Sequence, residues 1–235
     1  SVDGRITGDI EVGGRLLSAR ISADSETGTN ADPNPTLSLG NLLNGGTTSF
    51  DVRALAATDT SAVYAVNHNG ASFDLYEFDR ETDGSLDDTA NTFTMIGNIV
   101  DSASGNVLEN IAAAEYDAFN DRLLVIGSEP VAGSGDYALW SVDVTTGQAT
   151  NLGELLNNGA AIAPAGMAVN ALALDDRRST TYGLDDQLYF VVNDGADDSL
   201  LRLNVRDLGG VTVEAQDLGT ILADRDGDGA ADSTA

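Results

Sequence analysis

The 235-residue chain contains no cysteine, no lysine and a single histidine, His68. Without cysteine there are no disulfides, no thiol nucleophiles and no Cys-built zinc or iron centres. A Ser-His-Asp triad, or a metal site built on imidazole, would have to rest on His68 alone. No apolar run approaches the roughly 20 residues that a membrane-spanning helix needs. The most apolar stretch, residues 160–174, is broken by Pro164, Gly166 and Asn170. Gly-rich phosphate loops, G-x-S-x-G and H-E-x-x-H are all absent. Positive charge is also scarce: eleven arginines stand against 38 acidic residues, for a formal charge of -27. Such a field repels phosphate backbones and anionic lipid, so neither nucleic acid nor membrane insertion is expected, and cations are the natural partners. The chain opens at Ser1 without a methionine and without a charged and apolar leader pattern, so any signal segment is expected to have been removed or not included.

What is present is a repeat. With 42% hydrophobic residues the chain can bury a core as one domain, and self-similarity runs along it at a period of roughly 60 residues. Three segments align, each opening on small apolar residues: Ala54-Leu55-Ala56, Ala112-Ala113-Ala114 and Ala171-Leu172-Ala173, followed by Asp59, Asp117 and Asp175. Each continues into a β-prone run, Val63 to Val66, Leu123 to Ile126 and Leu188 to Val191. A third strand follows in alternating pattern at Leu75 to Asp79, Leu139 to Asp143 and Leu201 to Asn204. A fourth closes the unit at Ile96-Gly97-Asn98-Ile99, Leu152-Gly153-Glu154-Leu155 and Leu218-Gly219-Thr220-Ile221. Asn69-Gly70 and Asp194-Gly195 mark hairpins between the second and third strands.

Between the third and fourth strands lies D-x-x-T-G, intact at Asp143 to Gly147 and with one inserted residue at Asp79 to Gly84. The Asp can accept from backbone N–H groups two or three residues on, and the Gly supplies a positive φ. The same pattern at Asp24 to Gly28, followed by Leu37 to Leu42, marks a fourth copy at the N-terminus whose first half is degenerate. Four short antiparallel strands per repeat predict an all-β chain: a β-propeller-like array of about four four-stranded antiparallel blades, with a β-sandwich as the alternative. The repeats fall at about 1–50, 51–110, 111–168 and 169–221, followed by a loop at 222–235, all within one domain. This blade pattern resembles the quinoprotein-like and other secreted bacterial β-propeller repeats over about residues 15–221. That superfamily holds enzymes, binding proteins and scaffolds, so the resemblance implies a fold rather than an activity. The segment after Ile221 reads as the opening of a further repeat. It either closes the ring on the incomplete first repeat or leaves an edge open to a neighbouring copy, for example to Arg5–Val12.

The strongest local motif is Asp224-Arg225-Asp226-Gly227-Asp228-Gly229-Ala230-Ala231-Asp232, which reads D-x-D-x-D-G-x-x-D. Calcium takes six to eight oxygen ligands at about 2.3–2.6 Å. Alternating Asp residues in a tight loop supply several of these, with Gly229 at the turn. The expected ligands are Asp224, Asp226, Asp228 and Asp232 with the backbone carbonyl of Ala230. The loop resembles the calcium loops of thrombospondin type 3, dockerin and FG-GAP repeats. It departs from an EF-hand at the twelfth position, where Ala235 stands in place of the bidentate Glu. Other acidic groups, at Asp83 to Asp88, Asp185 to Asp186 and Asp194 to Asp198, lack the full spacing and read as solvated surface, with the last a candidate secondary cation site.

His68, in Asn67-His68-Asn69-Gly70, reads as a turn residue, and Tyr64, Tyr76, Trp140 and Tyr189 read as blade-packing residues. These features predict an extracellular or cell-surface, calcium-binding propeller that acts as a structural or adhesion module, self-associating through strand edges into an assembly or filament, and they leave enzymatic activity open. The alternative is a propeller enzyme acting on extracellular carbohydrate through paired carboxylates.

Overall fold

The computed structural model describes residues 6–11, 15–21, 37–41, 43–44, 48–49, 51–58, 62–79, 93–128, 135–175, 187–195, 197–205, 208 and 210–221, the first five strands by their backbone. Among the described residues every element longer than a turn is a β-strand. The chain begins with β1 (Ile6–Glu11), β2 (Arg15–Ile21) and β3 (Leu37–Asn41), an antiparallel three-stranded sheet, and a short pair, β4 (Leu43–Asn44) and β5 (Thr48–Ser49). Three four-stranded antiparallel blades follow. The second repeat forms β6 (Val52–Ala57), β7 (Ala62–His68), β8 (Phe73–Asp79) and β9 (Phe93–Asn98), with β10 (Val100–Asp101) continuing past it. The third forms β11 (Glu109–Asp117), β12 (Arg122–Ser128), β13 (Ala138–Asp143) and β14 (Gln148–Asn157), with β15 (Ala160–Ala161) folded back onto its end. The fourth forms β16 (Ala168–Asp175), β17 (Gln187–Asn193), β18 (Asp198–Asn204) and β19 (Thr212–Thr220).

The blades share one internal register. In each, a bulge interrupts the pairing of the first two strands, at Val52/Ala54, Glu109/Ala113 and Val169/Ala171. Another interrupts the last pair, at Leu75/Tyr76, Leu139/Trp140 and Leu200/Leu201. Bulges increase local twist, and their recurrence gives every blade the same curl. The inner strands β6, β11 and β16 then lie side by side, β11 in the middle. This is the β-propeller-like arrangement, with sheets stacked face on face around their first strands, rather than two opposed sheets of a sandwich. The alanines of the inner strands belong to that crowded region, where larger side chains would collide.

Alternation along the strands explains how one sheet serves two neighbours. Successive side chains point to opposite faces, so Leu123, Val125, Trp140 and Val142 of the third blade join Tyr64, Val66, Leu75 and Ile99 in one buried cluster. Leu124, Ile126 and Leu139 of the same strands join Leu188, Phe190, Leu201 and Leu203 in another. Trp140 is fully buried in the first cluster, and its indole N–H donates to the Gly127 carbonyl at 3.0 Å. Burying an aromatic of that size with its one donor satisfied contributes several kcal/mol, about 3–5 by the cost of truncation to Ala.

Neighbouring blades are also joined through their outer strands. β10 pairs in parallel with the start of β14, Val100 opposite Gln148 and Asp101 opposite Ala149. The end of β14 pairs in parallel with the start of β19, from Glu154 opposite Thr212 to Asn157 opposite Ala215. The outer edges of the second and third blades thus run past their own sheets and add to the next. At the turn before β14, the Asp143 carboxylate accepts from the N–H groups of Thr145 (2.8 Å) and Thr146 (3.1 Å) and from the Thr145 hydroxyl (2.6 Å), while Gly147 takes φ 75°.

Candidate functional site

A cavity of about 420 Å³ opens where the second and third blades meet, at the end where their inner strands begin. Among its lining residues are Arg53, His68, Phe73, Glu109, Asn110 and Tyr137. Arg53 lies on β6 and His68 closes β7, so the pairing of these strands brings both to one edge. The Asp51 carbonyl accepts from the His68 N–H at 2.9 Å, and the Asn67 side-chain oxygen accepts from the Asp51 N–H at 2.7 Å. One Asp51 carboxylate oxygen, Oδ2, accepts from the Arg53 guanidinium at 2.7 Å and lies 3.5 Å from His68 Nδ1. The imidazole packs on Phe73, ring centroids 4.9 Å apart.

The other wall is made by the bulge in β11. Asn110 takes φ 49°, a left-handed conformation that Asn tolerates better than most residues. Its amide donates to the Ser128 hydroxyl at 3.0 Å, and Ser128 in turn donates to the Glu109 carbonyl at 3.2 Å. Ser128 is buried, so this chain of bonds fixes the bulge from within. Tyr137 is 5% exposed, and burial raises its phenol above the ordinary value. Its hydroxyl has no hydrogen-bond partner among the described residues. A buried hydroxyl without a partner costs on the order of 1–3 kcal/mol, and one lining a cavity gains that back when a ligand supplies an acceptor or donor.

A second group stands apart from the cavity. Glu115, on β11, is desolvated, and burial pushes its carboxyl up to about 7. Two residues on, Asp117 goes the other way. Burial alone would raise its carboxyl, but bonds from Asn120 (2.6 Å) and the Arg122 guanidinium (2.8 Å) outweigh that and hold it below the ordinary value. Asp117 is therefore a fold residue, anchoring the turn between β11 and β12.

The expected calcium ligands Asp224, Asp226, Asp228, Ala230 and Asp232 lie outside the described residues, as do Asp59, Asp83 to Asp88 and Asp185 to Asp186. At the Asp194 to Asp198 turn the carboxylates serve the chain: Asp194 accepts from the Asp197 N–H, and Asp198 from the Asn193 amide. Among the described residues no group of three or more carboxylate or imidazole side chains is placed to hold a metal. Likewise no described helix is long and apolar enough to cross a membrane. The cavity residues Arg53, Glu109, Asn110 and Tyr137 carry no motif in the sequence. Only the bulge in β11 and the meeting of two repeats bring them together. His68 ends β7 just before the hairpin turn in which its sequence context places it, and it is among the residues that line the cavity.

No protein-family model matches the chain, and no curated protein matches it in sequence. Among solved structures it is similar to a bifunctional GH43-CE protein of Bacteroides eggerthii, with 11% identity and a TM-score of 0.44 over 92% of this chain and 27% of that one. It is also similar to cobalt-substituted Synechocystis ACO, with 9% identity and a TM-score of 0.34 over 87% of this chain and 44% of that one. The chain thus spans less than half the length of either. The class its strands define is an all-β, β-propeller-like repeat protein.

Proposed function

We propose that this chain is a secreted or cell-surface, calcium-binding adhesion or structural module that holds a neutral polyhydroxylated ligand, a sugar unit, in the cavity between its second and third blades. The observation that supports this reading is the lining of that cavity. It combines the apolar residues Phe73, Leu108 and Ile111 with the polar residues His68, Glu109, Asn110 and Tyr137, the last with a hydroxyl that has no partner among the described residues. A sugar presents hydroxyls that both donate and accept, together with a C–H face that packs on apolar surface. An anion fits less well, because the Arg53 charge already meets Asp51 and the molecule carries -27 overall. The volume falls within the range of small-molecule sites.

Binding is favoured over hydrolysis. Glycosidases use two carboxyl groups flanking the scissile bond, about 5–9.5 Å apart. Glu109 is the one carboxylate among the described lining residues, and the neighbouring Asp51 is engaged by Arg53. The test is calorimetry of the full chain against a panel of neutral mono- and oligosaccharides. Tyr137→Phe removes one hydroxyl and little else, and it is expected to weaken binding about 5- to 10-fold while melting no lower than the wild type without ligand. If no sugar binds, or if Tyr137→Phe leaves affinity untouched, the proposal fails.

A further inference from the structure

We propose that the outward face of the fourth blade seats the first sheet, β1–β3, of a second copy of this chain, joining chains head to tail. The inference rests on the fold alone and is independent of the sugar cavity. It follows from comparing equivalent positions. In the second blade, Tyr64, Val66, Leu75 and Ile99 face the third blade and are at most 7% exposed. Their counterparts in the third blade, Leu124, Ile126, Leu139 and Leu155, are fully buried against the fourth. In the fourth blade the same positions are Tyr189, Val191, Leu200 and Ile221. The first three are only partly buried, and Ile221 is 47% exposed with Leu218 beside it at 42%. The sequence keeps this face apolar at the register that twice forms an interface, and no described residue seals it.

Two further comparisons agree. A side chain at Gly97 would approach the Thr146 carbonyl to 3.1 Å, and one at Gly153 would lie 2.4 Å from Val213, each on the following blade. At the equivalent Gly219 a side chain would meet nothing within 4 Å. The outer-strand connections repeat the pattern. β10 extends onto β14 and the end of β14 onto β19, whereas the end of β19 pairs, among the described strands, with β18 of its own blade alone. This last face takes a sheet presented as the third and fourth blades present theirs. The first sheet belongs to the same repeat series, with its own D-x-x-T-G at Asp24 to Gly28 and Leu37-Ser38-Leu39-Gly40-Asn41-Leu42 at its outer strand. Because Leu218 and Ile221 remain exposed within one chain, that sheet comes from another copy. The contact joins unlike surfaces, so it propagates into rings or filaments rather than stopping at a dimer.

The experiment is light scattering of the full chain over a wide concentration range, with hydrogen exchange on the same samples. The expected result is a mass that rises with concentration, accompanied by new protection in both 216–221 and the β1–β3 strands. The double variant Leu218→Asp, Ile221→Asp should stay at the mass of one chain, with the dilute wild-type melting temperature, since both side chains are exposed in the single chain. A wild type that stays monomeric at every concentration overturns the proposal. So does protection confined to 216–221, which would mean like-to-like pairing of fourth blades. A dilute double variant that melts well below the dilute wild type also overturns it, because the face would then be covered within its own chain.

Discussion

Glu115 is the residue whose chemistry departs furthest from what its letter implies. Unfolded, its carboxyl loses its proton near 4.5, and folded it does so at about 7. Between those values the folded state holds a proton that the unfolded state has released, so stability falls as pH rises through that window and is level below and above it. The effect is on the order of 1–2 kcal/mol once partial water access is allowed for. Glu115→Gln should flatten that segment of the stability profile and melt higher than wild type above pH 7, as thermal scans across pH would record. Asp117 behaves oppositely, its carboxylate fixed by Asn120 and Arg122, so its contribution is lost as pH falls below the ordinary carboxylate range. The recurrence of Asp59, Asp117 and Asp175 was visible in the repeat. That Glu115 would be desolvated was not, because it depends on which face of β11 meets the fourth blade.

For the strands themselves the sequence was a good guide. The unbroken apolar run Leu123 to Ile126 marks a strand with two buried faces, and the structure divides those residues between two interfaces as period-2 geometry requires. The hairpins at Gly70 and Gly195, with φ 93° and 92°, fall where Asn-Gly and Asp-Gly place them. What stayed hidden is the parallel pairing between blades and the cavity it helps to frame. These join residues about one repeat apart, whose partners no local pattern names. Gly153 shows the cost of ignoring them: it takes φ 138°, and an added methyl would collide with Val213 and crowd the Thr212 and Gly210 backbone. Gly153→Ala should therefore destabilise by roughly 1–3 kcal/mol. Gly219→Ala, with φ 112° but open space around it, should cost about 1 kcal/mol in the dilute chain. Denaturant titration of the two variants side by side measures the difference.

At the scale of the whole molecule the charge of -27 is the dominant fact. Four carboxylates within nine residues at Asp224 to Asp232 repel one another without a counter-ion, and calcium binding there would stabilise the folded chain by mass action. We expect a higher melting temperature in millimolar calcium than in chelator, with the difference abolished in Asp226→Ala, Asp228→Ala. Equal melting in both conditions would remove calcium from the account of this protein. Sequence spacing is the whole basis of that expectation, whereas the stacking of blades rests on side chains placed in contact.

The single tryptophan gives the molecule a built-in optical reporter. Trp140 is sealed between the second and third blades and tied to Gly127, so its emission should shift to the red only when those two sheets part. Intrinsic fluorescence would therefore time the opening of that seam and stay silent to fraying at either end of the chain. A far-ultraviolet signal averaged over all strands would register both, and the gap between the two unfolding curves would measure how cooperatively the repeats come undone.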